Sequence, residues 1–238
     1  MRNRNYSFWR AAGNSLLFLL YPELCTGCSR TLLPEENVLC LACQLQLQET
    51  NYHHIPDNET VLRLAGRFAF VHATSYAYFV KDGILQKVLH QLKYEGRKKN
   101  GTYLGHRFGQ SILDMPWLSD ISCILPVPLF KAKERQRGYN QTAVIASAMS
   151  SVLGITVADN LIERIRNTDT QVHKNRTERM ENLQSAFRIT DEERLRNRHV
   201  LLLDDVLTTG ATLEACSLCL QEVPGIRISL ATIGLAVS

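Results

Sequence analysis

The sequence predicts an α/β fold: a doubly wound parallel sheet flanked by helices, preceded by a small cysteine-bearing module. Three observations carry this. The second half of the chain alternates apolar runs with helical periodicity. Those runs, such as Val200-Leu201-Leu202-Leu203, are continuous rather than alternating, as strands buried on both faces require. Four of the seven cysteines form two C-x2-C pairs near the N-terminus. With 238 residues, 45% apolar and 21% charged, the chain can build one large core plus a module, at about 150 residues per domain. That composition excludes a disordered chain, a collagen-like chain and a disulfide-stapled mini-protein. A net charge of +4 permits an anionic partner without demanding one.

Taken in order, Phe8, Trp9, Ala12, Leu16, Leu19 and Leu20 lie near helical spacing, which predicts an amphipathic helix over residues 8–20. Arg10 is its only cation, so it reads as a packing helix rather than a membrane-surface one. The apolar run Leu16 to Tyr21 is too short to span a bilayer, and no small-residue cleavage site follows it. A cytoplasmic protein without a membrane span is expected. The polar stretch 51–60 reads as a linker. It separates a module over residues 1–50 from a domain over residues 60–238.

Within that domain, residues 66–80 read as strands in a hairpin. Ile84, Leu85, Val88, Leu89 and Leu92 mark a helix over 84–94, and a second helix is expected over 103–113. Between them lies a basic loop; from Lys81 to Arg107 there are seven basic and two acidic residues. A buried strand over 121–127 leads into a second basic loop carrying Lys131, Lys133, Arg135 and Arg137. A helix follows from about Asn140 to Leu153, closed by Gly154. Residues 163–182 lack periodicity and read as a functional lid or a disordered segment. Then come the strand at 200–203, a helix to about Gln221, and one or two closing strands over 226–237.

The cysteines Cys25, Cys28, Cys40 and Cys43 leave eleven residues between the inner pair. Each C-x2-C turn presents two thiolates, and two turns complete a tetrahedron for Zn²⁺, with an iron–sulfur cluster as the alternative. Four protein thiolates leave no open position, so the site is read as structural. Cys123, Cys216 and Cys219 read as core residues.

The most specific segment is Val200-Leu201-Leu202-Leu203-Asp204-Asp205-Val206-Leu207-Thr208-Thr209-Gly210-Ala211-Thr212. A buried parallel strand opens at its C-terminal end into the ligand crevice. The Thr- and Gly-rich turn and the following helix start then supply amides and hydroxyls for one phosphate. Two carboxylates just before that cradle suit the vicinal hydroxyls of a ribose, and positive charge developing on its ring.

This segment resembles the phosphoribosyl pyrophosphate (PRPP) motif of the type I phosphoribosyltransferases. The resemblance implies that Asp204 and Asp205 hold the ribose hydroxyls as catalytic residues. Thr208, Thr209, Gly210, Ala211 and Thr212 would bind the 5′-phosphate. Purine-salvage members carry an Asp at the position of Thr208, so 6-oxopurine salvage is not implied. Pro126-Val127-Pro128-Leu129, running on to Arg137, occupies the place of the family's pyrophosphate loop. Lys174 and Arg176 occupy its flexible loop, with Arg179 and His173 nearby. Mg²⁺ would accompany PRPP. With the four-cysteine module, and with Leu20-Tyr21-Pro22, Leu92-Lys93-Tyr94-Glu95-Gly96, Arg137-Gly138-Tyr139-Asn140-Gln141, Asn182 and Ala186-Phe187, the chain resembles the ComF family of bacterial competence proteins nearly end to end. That resemblance implies PRPP or a related phosphosugar as ligand, with an unspecified acceptor. It also implies an alternative: a non-catalytic DNA-uptake protein that binds single-stranded DNA or a helicase-like partner.

Overall fold

The computed structural model describes residues 22–166 and 186–237. The predicted helix over 8–20 lies outside them, as do Lys174, Arg176, Arg179, His173 and Asn182. The chain divides into two compact units, with the boundary between Gln46 and Leu47.

In the first unit, the bridge between Leu24 and Thr31 closes one cysteine turn. The short helix α1 (Leu41–Gln46) carries the other.

The second unit is built on four parallel strands: β1 (Ala73–Phe79), β2 (Cys123–Pro126), β5 (His199–Leu207) and β6 (Arg227–Ala236). Their order across the sheet is β1-β6-β5-β2. Val157 extends the sheet by a parallel bridge to Ile124. A separate antiparallel pair, β3 (Ile162–Arg164) with β4 (Phe187–Ile189), lies outside this sheet. One strand of the central pair, β5, runs on through both aspartates to Leu207, beyond the apolar run that announces it. The parallel sheet is as the continuous apolar runs predict.

Alternation along β5 sends neighbouring side chains to opposite faces. Val200 and Leu202 join a buried cluster with Leu213, Cys216 and Leu220 of helix α7 (Ala211–Gln221). The other face is covered by α3 (Ile84–Tyr94), α4 (Lys98–Ile112) and α6 (Gln141–Leu153). Leu85, Val88, Leu89 and Leu92 of α3 are buried, the stripe the sequence predicts. Helices α4 and α6 meet most closely at Gly105, where a Cβ would stand 2.4 Å from the Ile145 carbonyl oxygen. The three predicted core cysteines are buried.

Four expectations need correction. Residues 66–80 form no hairpin; only 73–79 are a strand, and residues 66–72 lead into it. The stretch 51–60 is folded rather than open. It holds a 3-10 turn over Tyr52–His54 and the start of helix α2 (Glu59–Leu64). Asn58 caps α2 by accepting from the Val61 amide, and donates to the carbonyls of Tyr52, Ile55 and Ala73. These bonds satisfy a side chain that is itself buried, so a polar sequence here marks a braced turn. Of the first basic loop, only residues 95–97 are loop, because α4 starts at Lys98. The second is mostly the helix α5 (Lys131–Arg137), ended by Gly138 with φ 84°.

Candidate functional site

Two sites emerge, one in each unit. In the first, Cys25 and Cys28 flank a turn in which the Ser29 amide donates to the Cys25 carbonyl at 2.8 Å. The Cys40 amide donates to Cys25 Sγ at 3.2 Å, and Cys43 lies in α1. Glu36 fixes the second turn by accepting from the Leu33 and Leu41 amides at 2.8 and 2.6 Å. Those two N–H groups hold its carboxyl below the usual range. The four Sγ atoms lie within 4.8 Å of one another, with Cys28 and Cys40 at 3.7 Å. Thiolates about 2.3 Å from a tetrahedral Zn²⁺ stand roughly 3.8 Å apart, so the cluster fits a metal ion such as zinc. Gly27 is required by space rather than by its backbone angle, since a Cβ there would lie 2.8 Å from Cys43 Sγ.

In the second unit, the C-terminal half of β5 opens onto a cavity of about 240 Å³. Its walls bring together the acid pair, the segment Val127-Pro128-Leu129, Thr212 at the start of α7, and four cationic residues: Lys93, Lys133, Arg137 and Arg164. These residues come from α3, α5, β3, β5 and α7 and are spread over 120 positions of sequence. The cavity lies where a doubly wound sheet binds ligands, beyond the carboxyl ends of its strands.

The pleat sends the two acids different ways. Asp205 is buried on the face of α3 and α6, where its Oδ2 accepts from Gln141 Nε2 at 2.6 Å and meets Lys93 Nζ at 2.8 Å. Gln141 in turn accepts from the Arg137 guanidinium. Asp204 accepts the Asp205 amide at 2.8 Å. Burial, then the Asp205 carboxylate, push Asp204 up to about 7, against the opposing pull of Lys93 and Arg164. Lys133 shifts downward through burial and the nearby charges of Arg164 and Arg137. The crowded cations offer donors suited to an anion, and the carboxylate pair beside them offers acceptors suited to hydroxyl groups. Thr142, on the same wall, keeps a buried hydroxyl with no hydrogen-bond partner among the described residues.

Second contacts hold these groups in place. Asn140 caps α6 by accepting the Thr142 amide and donates to the Val127 carbonyl at 3.0 Å. The Tyr139 hydroxyl donates to the Leu92 carbonyl, and Arg137 lies 5.6 Å over the Tyr94 ring. The turn 208–210 is shaped from outside: Arg67 donates to the Thr209 carbonyl and pairs with Glu214. Gly210 has φ 79°, and a Cβ there would meet Arg67 Nη1 at 2.6 Å.

Of the residues singled out in the sequence, Asp204, Asp205, Thr212 and Arg137 line one cavity. Thr208, Thr209 and Gly210 form the turn between β5 and α7, Ala211 opens α7, and these four are not on the cavity's lining. Sequence reasoning quoted Gln141 within a motif but gave it no role at the site, passed over Thr142, and did not place Lys93, Lys133 or Arg164 at the acids. The Lys93 segment and the basic residues were visible as motif and charge, but nothing local ties them to a strand that begins 35 or more residues further on. Gln141 offered no signal of charge or periodicity.

Residues 140–234 match the model of the phosphoribosyl transferase domain. Competence protein F of Haemophilus influenzae is 36% identical over 42% of this chain and 44% of its own length. DNA utilization protein YhgH of Salmonella typhimurium is 31% identical over 54% of this chain and 57% of its own. The matched region thus spans about half the length of those two relatives. Competence protein ComFC of Bacillus subtilis is 24% identical over 90% of this chain and 83% of its own length. Among the described residues no helix is long and apolar enough to cross a membrane.

Proposed function

We propose that this chain, a relative of competence protein F and ComFC that carries a phosphoribosyl transferase domain, binds PRPP or a ribose 5-phosphate group in the cavity at the end of β5. The observation that carries the reading is the cavity itself, which joins Asp204 and Asp205 to Thr212, Arg137, Lys133 and Arg164. In this reading the acid pair accepts hydrogen bonds from the 2′- and 3′-hydroxyls. The α7 start, with Thr208 to Thr212, receives the 5′-phosphate. The cations beside Val127-Pro128-Leu129 receive the pyrophosphate. Lys174 and Arg176 are proposed to reach the same group.

Transfer would break the bond between C1 and a pyrophosphate oxygen, which leaves with the electron pair. The acceptor nucleophile would form the new bond to C1 and release its proton to solvent or a base. Charge builds on the ring as the bond lengthens, as in glycoside cleavage, and the acid pair lies where it opposes that charge. The Asp205 carboxylate is already engaged by Lys93 and Gln141, so the chain offers few free oxygens to a cation. Mg²⁺ is therefore proposed to arrive on the substrate's own oxygens, where it would neutralise the leaving group. A structural zinc ion is proposed for the four thiolates.

Titration calorimetry with PRPP and Mg²⁺ tests the ligand. Saturable binding that weakens at least tenfold in Asp205→Asn and in Arg137→Ala supports it. Absent binding, or binding indifferent to both substitutions, overturns it. A second reading, single-stranded DNA as a partner, is favoured by the exposed strip Tyr94, Arg97, Lys98 and Lys99 beside Lys93 at the cavity. A base can stack on an exposed tyrosine while cations track the backbone. Charge reversal of Arg97, Lys98 and Lys99 would abolish salt-dependent oligonucleotide binding if this strip is the contact. A helicase-like partner is proposed on the resemblance to the ComF family alone; the relatives' names speak only of competence and DNA utilization.

A further inference from the structure

A second cavity of about 490 Å³ lies on the segments that lead into β1 and β2. It shares no lining residue with the cavity at the acid pair. Its size is that of a small-molecule site, commonly about 300–1,000 Å³. Its walls are chemically unlike those of the first. They carry Tyr52, Phe70 and Trp117 as aromatic surface, and His53, His54 and His72 as imidazoles. Among the described residues no lysine or arginine lines it. The absence of cationic side chains argues against a phosphate, and the aromatic walls favour a flat ring.

The site is built rather than incidental. Asn58 spends its side chain on four backbone groups, fixing the turn 52–58 against the start of β1. Trp117 stacks on His72, with ring centroids 5.3 Å apart and planes 28° from parallel. His53 lies against His54 at 4.2 Å between centroids. Burial shifts both His53 and His72 toward the neutral imidazole, which carries one donor and one acceptor. Thr74, also on the lining, has a buried hydroxyl with no hydrogen-bond partner among the described residues. The lining therefore offers aromatic faces with neutral two-way hydrogen-bonding groups, and a single exposed carboxylate at Asp57.

We infer that this cavity binds an uncharged planar heteroaromatic ring with donor and acceptor edges, namely a free nucleobase or nucleoside. A base within a polynucleotide would present the same ring but would bring phosphates to a lining that holds no cation, so the free form is the better match.

The full chain, at pH 7.5, is titrated calorimetrically with adenosine, guanosine, cytidine and thymidine. Saturable binding of at least one of them supports the inference if His72→Ala weakens it at least fivefold and Asp205→Asn leaves it unchanged. His53→Ala, which removes a half-buried ring from a turn braced by Asn58, serves as the second variant should His72→Ala not fold. An oligothymidylate arm separates the sources: binding of the oligomer with none of the free nucleosides overturns the inference. So does the absence of saturable nucleoside binding at millimolar concentration. Binding that survives both histidine substitutions and is lost in Asp205→Asn also overturns it, because the ligand then sits in the other cavity. PRPP binding is measured on the same samples. Its failure bears on the ribose-phosphate reading and leaves this inference standing.

Discussion

Replacing Lys93 by methionine removes the cation nearest the acid pair while keeping the length of the side chain. The ammonium lies 2.8 Å from Asp205 Oδ2, and both side chains are mostly covered, at 22% and 12% exposure. At an effective dielectric near 20, the attraction across that distance is about 6 kcal/mol. Methionine recovers only the lysine's own desolvation and leaves Asp205 covered without its cation, so the destabilisation is about 3 kcal/mol. The pH dependence is the sharper test. The Asp204 carboxyl titrates near 7 in the fold, above its ordinary value of 3.8, because burial and Asp205 oppose its ionisation. A raised folded pKa contributes stability that is fully present below about pH 4 and is lost as pH rises through 7. Lys93 opposes that loss, so without it Asp204 is driven higher still. The defect of Lys93→Met should then be larger at pH 8 than at pH 5. Urea unfolding followed by far-UV circular dichroism at the two pH values measures it. A penalty that is the same at both, or larger at pH 5, would refute the argument that Lys93 offsets the charge of the pair.

Three further outcomes follow from positions away from that pair. Gly27→Ala would press a methyl group onto Cys43 Sγ, and the protein should retain less than half the metal of the parent in a zinc-release assay with a colorimetric chelator. Gly105→Ala places a Cβ against the Ile145 carbonyl, a backbone atom that cannot swing aside, and should cost about 2–3 kcal/mol in chemical unfolding. His199 is buried, with Nε2 on the Ser229 hydroxyl at 2.9 Å and Nδ1 without a hydrogen-bond partner, and burial shifts it below 6.5. A depressed folded pKa gives stability that is present above 6.5 and lost as pH falls below it, so His199→Gln should flatten the decline between pH 6.5 and 5 in thermal melts.

The parts of the fold that were legible in the sequence are those whose burial follows a simple period. Helix α3 buries a four-residue stripe, and α6 carries both its stops, Asn140 at one end and Gly154 with φ 70° at the other. The four apolar residues of β5 needed no context, and the cysteine spacing carried its own geometry. Helix α5 was illegible because it buries nothing: in Lys-Ala-Lys-Glu-Arg-Gln-Arg there is no apolar face to detect. The first turn of α4, Lys98 to Gly101, is hidden for a related reason. Asn100 and Gly101 are buried there through a side-chain bond to the Val88 carbonyl and a close approach to Leu92, neither of which hydropathy registers. The turn around Asn58 misled for the same cause, since a polar residue with all its bonds made inside the protein looks like one waiting for water.

That same blindness explains what could be read of the candidate site. The acid pair and the threonine turn are contiguous, so the chemistry they suit is written in one stretch of thirteen residues. Their electrostatic setting is not contiguous. Asp205 is neutralised by Lys93 from 112 positions upstream and steadied by Gln141 from 64 upstream, and Asp204 feels Arg164 from the separate β3–β4 pair. Pairings of that kind exist only once the parallel sheet has brought α3, α6 and β5 to one edge. A sequence can therefore name the groups that face a ligand, while the groups that set their charge must be found in the fold. The acid pair is the clearest case here: alike on paper and lining one cavity, the two aspartates are turned apart by the pleat, Asp205 toward a lysine and a glutamine, Asp204 to a place where desolvation and its neighbour's charge favour its proton.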